Sequence, residues 1–186
     1  MKHAALLLAC IAPLAACDRS PKVNEKNASI AEVAKAVGES GVASDNFMRA
    51  GSWKVTSTVE EMSYPGMPAQ AQAEMNRMAG HETSFQYCLS PEEAKRPRGK
   101  FFSGKDEGNC RYDHFTMGGG KIDAVMRCGV SGTQGMTMTM NGEYAADHYT
   151  THVAMQVSGG RGGGMTVKAH SEARRIGECT GKEGNG

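Results

Sequence analysis

The sequence predicts a mainly β protein: an antiparallel meander of about seven strands, curled or closed into a small barrel, with one or two short helices. Three observations lead there. Apolar and polar residues alternate in short runs, these runs are punctuated by turns rich in the chain's 24 glycines, and strands do not alternate with helices as a parallel sheet would require. A period of two sends one face of each strand to a core and leaves the other in water.

The first segment has a different character. Met1, Lys2 and His3 give a short, weakly basic start, and Ala4 to Leu14 is apolar apart from Pro13. That run is too short for a membrane span, which takes ~20 helical residues, and reads as the hydrophobic part of a signal peptide. Leu14-Ala15-Ala16-Cys17 follows and resembles the lipobox of bacterial lipoproteins. The expectation is that residues 1–16 are removed and Cys17 takes the lipid. Each buried methylene contributes ~0.8 kcal/mol, so two or three acyl chains hold firmly where one is marginal. The membrane is then a partner through the anchor, and the domain faces the periplasm. Asp18 resembles a retention signal and leans the choice toward the inner membrane.

Residues 17–49 read as a tether carrying one short amphipathic helix. Ile30, Val33, Ala34 and Val37 repeat at helical spacing, with Ser29 as N-cap and Gly38 as stop. Asp18 to Asn27 and Glu39 to Ala50 read as loose chain. Residues 50–180 form the β-rich domain. Trp53, Val55, Ser57 and Val59 alternate with polar residues in its first strand, and Tyr64 to Pro68 ends it. Ala69 to Ala79 reads as a helix, and Thr83 to Leu89 as a strand. Ser90, Pro91 and Glu93 open a further helical turn, followed by a basic loop from Lys95 to Lys100. Gly118-Gly119-Gly120 joins strands Cys110–Met117 and Lys121–Cys128, and Ala145 to His148 joins Gln134–Tyr144 and Tyr149–Val157. The glycine run 159–164 leads to a last strand, Met165 to Arg174, and 181–186 reads as a disordered tail.

Four cysteines lie beyond Cys17: Cys88, Cys110, Cys128 and Cys179. An even number in an exported domain reads as two disulfides. No C-x-x-C pair or suitably spaced histidine accompanies them, which speaks against zinc. A three-residue turn at Gly118 to Gly120 would pair Cys110 with Cys128, whereas a two-residue turn would put them on opposite faces. Strand direction places the end of the Cys88 strand beside the start of the Cys110 strand, favouring Cys88–Cys110 with Cys128–Cys179.

Several runs occur together in order: GSWKVTSTV at 51–59, YCLSPEEA at 87–94, GNC at 108–110, Cys128, and RIGEC at 175–179. In this the chain resembles the exported proteobacterial family catalogued as domain of unknown function 3617, over roughly residues 50 to 180. The resemblance implies a periplasmic or lipid-anchored β-rich domain with those cysteines oxidised. It carries over no catalytic residue.

Function is less legible. Lys plus Arg number 21 against 20 Asp plus Glu, so the basic excess that drives nucleic-acid binding is lacking. The 13 methionines are the most unusual feature. Met136, Met138 and Met140 alternate with threonine and share one strand face, where they either fill a core short of aromatics or present soft thioethers to Cu(I). A hairpin registered about Ala146 would place His152 opposite Met140 and add an imidazole to that set. Asp113-His114 and Asp147-His148 are adjacent, and strand neighbours point to opposite faces, so neither pair makes a base with its orienting acid. No G-x-S-x-G motif is present, and the glycine run lacks the Lys-Ser/Thr ending of a phosphate loop. The reading is a non-catalytic binding or envelope-maintenance module without a cofactor, holding a small apolar ligand in a curved sheet. Copper handling and a structural role in an envelope complex are the alternatives.

Overall fold

The computed structural model describes residues 22–42, 47–95, 109–129, 135–159 and 164–183. The signal segment, Cys17, residues 96–100 of the basic loop and residues 160–163 of the glycine-rich run therefore lie outside the described residues. Those described form one antiparallel sheet of eight strands, with three helices. In chain order the elements are β1 (Lys22–Ser29), α1 (Ile30–Ser40), β2 (Gly51–Ser63), α2 (Ala69–Met78), β3 (Glu82–Leu89), α3 (Pro91–Lys95), β4 (Cys110–Gly118), β5 (Lys121–Gly129), β6 (Gly135–Tyr144), β7 (His148–Ser158) and β8 (Met165–Gly177). Spatial order is β1-β4-β5-β6-β7-β8-β2-β3. The meander β4 to β8 is thus flanked by β1 on one side and by the hairpin-like pair β2–β3 on the other. The sheet does not close, and β1 and β3 are its edges.

β1 is a departure from the expected tether. It pairs with β4 along its length, Val23 opposite Met117 and Ala28 opposite Tyr112. Val23 and Ala28 are buried, but five residues apart, because Asn27 adopts a positive φ of 49° and switches the faces between them. Asparagine tolerates that conformation. Ser29 then caps α1 in a full capping box with Glu32. The helix runs to a left-handed Gly41 rather than stopping at Gly38, and buries Ile30, Val33 and Val37 against β1 and β4. The described residues of the stretch before β2, Val42 and Phe47 to Ala50, are not loose either. Val42, Phe47 and Met48 are buried, Phe47 packs edge-on to Tyr144 at 5.5 Å, and the Arg49 N–H donates to the Ala146 carbonyl at 2.9 Å. Residues 47–50 lie near the β6–β7 turn and lead into Trp53, fully buried, whose Nε1 donates back to the Arg49 carbonyl at 2.9 Å.

β4 and β5 meet through a two-residue turn, Gly119 and Gly120, both at positive φ (59° and 78°) as a type I′ turn requires. Gly118 pairs with Lys121, and that register alone would set the cysteines apart. One extra residue, Asp113, interrupts it: Tyr112 pairs with Met126 and His114 with Val125. The bulge restores Cys110 opposite Cys128. The disulfides are accordingly Cys110–Cys128 and Cys88–Cys179, not Cys88–Cys110 with Cys128–Cys179. Strand direction misled because β2, β8 and three further strands separate β3 from β4. Cys110–Cys128 staples one end of the sheet. Cys88–Cys179 staples the other, across Ser52 of β2, which pairs with both Cys88 and Gly177. Residues 180–183, expected to start a disordered tail, form a turn in which Glu183 accepts from the Thr180 N–H at 2.9 Å.

Candidate functional site

The two faces of β6, β7 and β8 differ in chemistry. On the core face Met136, Met138 and Met140 stand opposite Val157, Met155 and Val153, which face Met165, Val167 and Ala169 in turn. α1 shields β1 and β4, and Phe47 and Arg49 pack at the end holding Tyr144 and Trp53. The far ends of β6 to β8 have no such cover among the described residues, and every one of these apolar side chains is only half-buried. The result is a half-buried apolar strip rich in thioethers, with an aromatic end. Trp53 and Tyr149 lie 6.0 Å apart between ring centroids, with Tyr87 close to Tyr149. Burial pushes both phenols well above their ordinary range, so they stay neutral donors.

The methionine stripe lies on one face as its alternation implies, and it packs against the hydrophobic core. His152 does not join it. The β6–β7 register pairs Met140 with Val153 and Asn141 with His152, one residue away from a hairpin centred on Ala146. Because opposite residues in a ladder share a face, His152 projects from the other side of the sheet. The set Met136, Met138, Met140 and His152 is therefore divided between two faces and cannot surround one ion.

What His152 meets on the outer face is His170 of β8, directly opposite, with ring centroids 4.4 Å apart. β2 adds a carboxylate there by a second bulge. Val59 pairs with Ala169 and Glu61 with Lys168, leaving Glu60 as the extra residue. One ligand atom from each of Glu60, His152 and His170 lies within 4.8 Å of the others. Glu61 is committed to Lys168 at 2.6 Å, a bond that holds the ammonium above its usual range. His170 Nε2 contacts Glu172 Oε1 at 3.2 Å, while its Nδ1 is buried without a partner. Neither bulge is announced by the alternation pattern, which is why Glu60 and His170 were not legible as neighbours of His152.

Two other histidines, His114 and His148, are engaged with acids. His114 Nε2 contacts Asp123 at 2.5 Å. His148 Nδ1 contacts Asp147 at 2.8 Å, contrary to the expectation for strand neighbours, because Asp147 lies in the β6–β7 turn rather than in a strand. That hydrogen bond draws the Asp147 carboxyl below its ordinary value. Asp113 accepts from Arg127 Nε at 2.6 Å.

An open antiparallel sheet covered by α1 and braced by two disulfides, with a half-buried apolar strip on one face, is the frame of a small β-rich domain. The chain belongs to the family described as Protein of unknown function (DUF3617), which matches residues 48–179. β1 and α1 precede the matched region, yet they supply the sheet's edge and the cover of its core. No curated protein and no solved structure matches the chain.

Proposed function

We propose that the protein is a lipid-anchored, non-catalytic binding module of the bacterial envelope. It is tethered through Cys17 with its domain in the periplasm, and it holds a small apolar ligand such as a lipid acyl chain. The observation that carries this reading is the apolar strip: methionine and valine side chains of β6 to β8 left half-exposed where α1 ends its cover. Contiguous apolar surface on a soluble domain marks a place where something binds. Thioethers suit a ligand of variable shape, since methionine reshapes its three torsions at little cost. The lipobox LAAC at 14–17 supports the anchor, and an oxidising compartment suits the two disulfides.

Native mass spectrometry of the full chain extracted from its own membranes tests the ligand. A lipid that co-purifies with wild type and is absent from Met138→Glu and Met155→Glu is the expected result. A ligand-free wild-type protein overturns it. Labelled palmitate incorporated into wild type and absent from Cys17→Ala is expected for the anchor, and an unlabelled chain retaining residues 1–16 refutes it.

A further inference from the structure

The outer face of the sheet carries a second arrangement, independent of the apolar strip. We infer that Glu60, His152 and His170 form a binding site for a borderline divalent transition-metal ion of the zinc class.

The backbone brings the three together for different reasons. His152 and His170 are a cross-strand pair, and such pairs set Cβ atoms ~4.5–5.5 Å apart, close enough for two imidazoles to share one ion. Glu60 arrives through the bulge in β2, which adds a residue beside His170's neighbour Lys168. Bulges recur where a strand must re-aim a side chain. Without the extra residue, Glu61 would fall on the core face. With it, Glu61 neutralises Lys168 and Glu60 is left to face the imidazoles.

The histidine chemistry selects a metal over a plain ring contact. Glu172 on Nε2 of His170 favours the proton on that nitrogen, leaving the lone pair on Nδ1. A buried lone pair without a partner is costly, and Nδ1 is such an atom. A carboxylate on the far nitrogen of a histidine is the usual outer support of a metal ligand, fixing tautomer and ring orientation. Two imidazoles and a carboxylate are nitrogen and oxygen donors of intermediate softness. They suit Zn(II), Co(II) or Ni(II) rather than Ca(II), which wants oxygen alone, or Cu(I), which prefers sulfur. Ligand atoms around tetrahedral zinc sit about 3.3 Å apart given bonds of about 2.0–2.2 Å. The observed spread of 4.8 Å closes by rotation of Glu60 and His152, both exposed. Three protein ligands leave a fourth position to water.

Titration of metal-stripped full chain with zinc alone, followed by calorimetry, tests this. One equivalent is expected for wild type, with affinity reduced at least tenfold in each of Glu60→Gln, His152→Ala and His170→Ala. His148→Ala, a surface histidine away from the cluster, retains wild-type affinity. Far-UV circular dichroism separates loss of ligand from loss of fold, and a tetrahedral Co(II) spectrum that vanishes in Glu60→Gln reports coordination directly. No stoichiometric zinc in wild type, or wild-type affinity in folded Glu60→Gln and His152→Ala, overturns the inference.

Discussion

Cys110 and Cys128 stand opposite one another with Cα atoms 4.0 Å apart, although the two-residue turn that joins their strands should set them one residue out of step. Asp113 absorbs the difference. Its deletion leaves a regular ladder with the same partners, Tyr112 opposite Met126 and Cys110 opposite Cys128. The shortened protein should therefore keep all four domain cysteines unreactive to iodoacetamide before reduction. Alkylated Cys110 would show that the bulge does not set this register.

The two disulfides should also separate by reductant. Cys128 is nearly buried, at 9% exposure, whereas Cys179 is exposed. A limiting dose of reductant should free Cys88 and Cys179 first, read by differential alkylation and peptide mass. In the chain-entropy picture a loop of 91 residues is worth about 4–5 kcal/mol and one of 18 about 3 kcal/mol. Losing the reducible, long-loop bridge through Cys88→Ser with Cys179→Ser should thus cost more stability than losing the other.

Much of the sheet was legible because its strands alternate cleanly. Trp53 to Val59, Lys121 to Cys128 and Tyr149 to Val157 are each found where period-two patterning puts them. What escaped were the places where the period breaks. β1 buries Val23 and Ala28 across the face switch at Asn27, and a spacing of five belongs to neither strand nor helix. The bulges at Asp113 and Glu60 are set by partner strands, so no local pattern reveals them. The candidate sites divide likewise. The methionine face follows from alternation within one strand. The Glu60–His152–His170 cluster depends on registers among three strands, where a slip of one residue moves a histidine across the sheet.

The helix that covers the core depends on its first turn. Ser29 Oγ accepts from the Glu32 N–H at 3.2 Å, and the Glu32 carboxylate accepts from the Ser29 N–H at 2.7 Å. Ser29→Ala should cost about 1 kcal/mol in chemical denaturation. Hydrogen bonds from the Ser29 backbone and hydroxyl, helped weakly by Arg111, hold the Glu32 pKa below its ordinary 4.5. A depressed folded-state pKa gives stability that is present above the unfolded value and lost as pH falls through the folded one. Wild type should accordingly lose stability below about pH 4.5 more steeply than Glu32→Gln, measured as denaturation midpoints across an acid series.

Trp53 is the only tryptophan in the chain and is fully buried, 6.0 Å from Tyr149 between ring centroids. Its emission should be blue-shifted in the native state and should red-shift in one transition on unfolding. Trp53→Ala removes both the packing and the bond to the Arg49 carbonyl, so it should cost about 3–5 kcal/mol. Trp53→Phe keeps much of the apolar contact and should cost distinctly less. Similar losses for both variants would place the main contribution in the indole N–H rather than in ring burial.

Two glycines with positive φ should respond oppositely to substitution. Gly51 opens β2 at φ 139°, and a Cβ there would overlap the Gly177 carbonyl and the Arg175 guanidinium. Neither can easily withdraw. The carbonyl belongs to the adjoining strand, and Arg175 Nε donates to the Ala50 carbonyl at 2.7 Å. Gly51→Ala therefore adds a steric clash to a backbone penalty of about 1–3 kcal/mol, and its thermal midpoint should fall by several degrees or more. Gly119 sits at φ 59° with nothing within 4 Å of an added Cβ. Asparagine there creates the Asn-Gly pair that type I′ turns favour, and it narrows the unfolded ensemble. Gly119→Asn should leave the midpoint unchanged or slightly raised. A marked loss at Gly119, or tolerance at Gly51, would mean that the β4–β5 turn or the β2–β8 approach is not built as described.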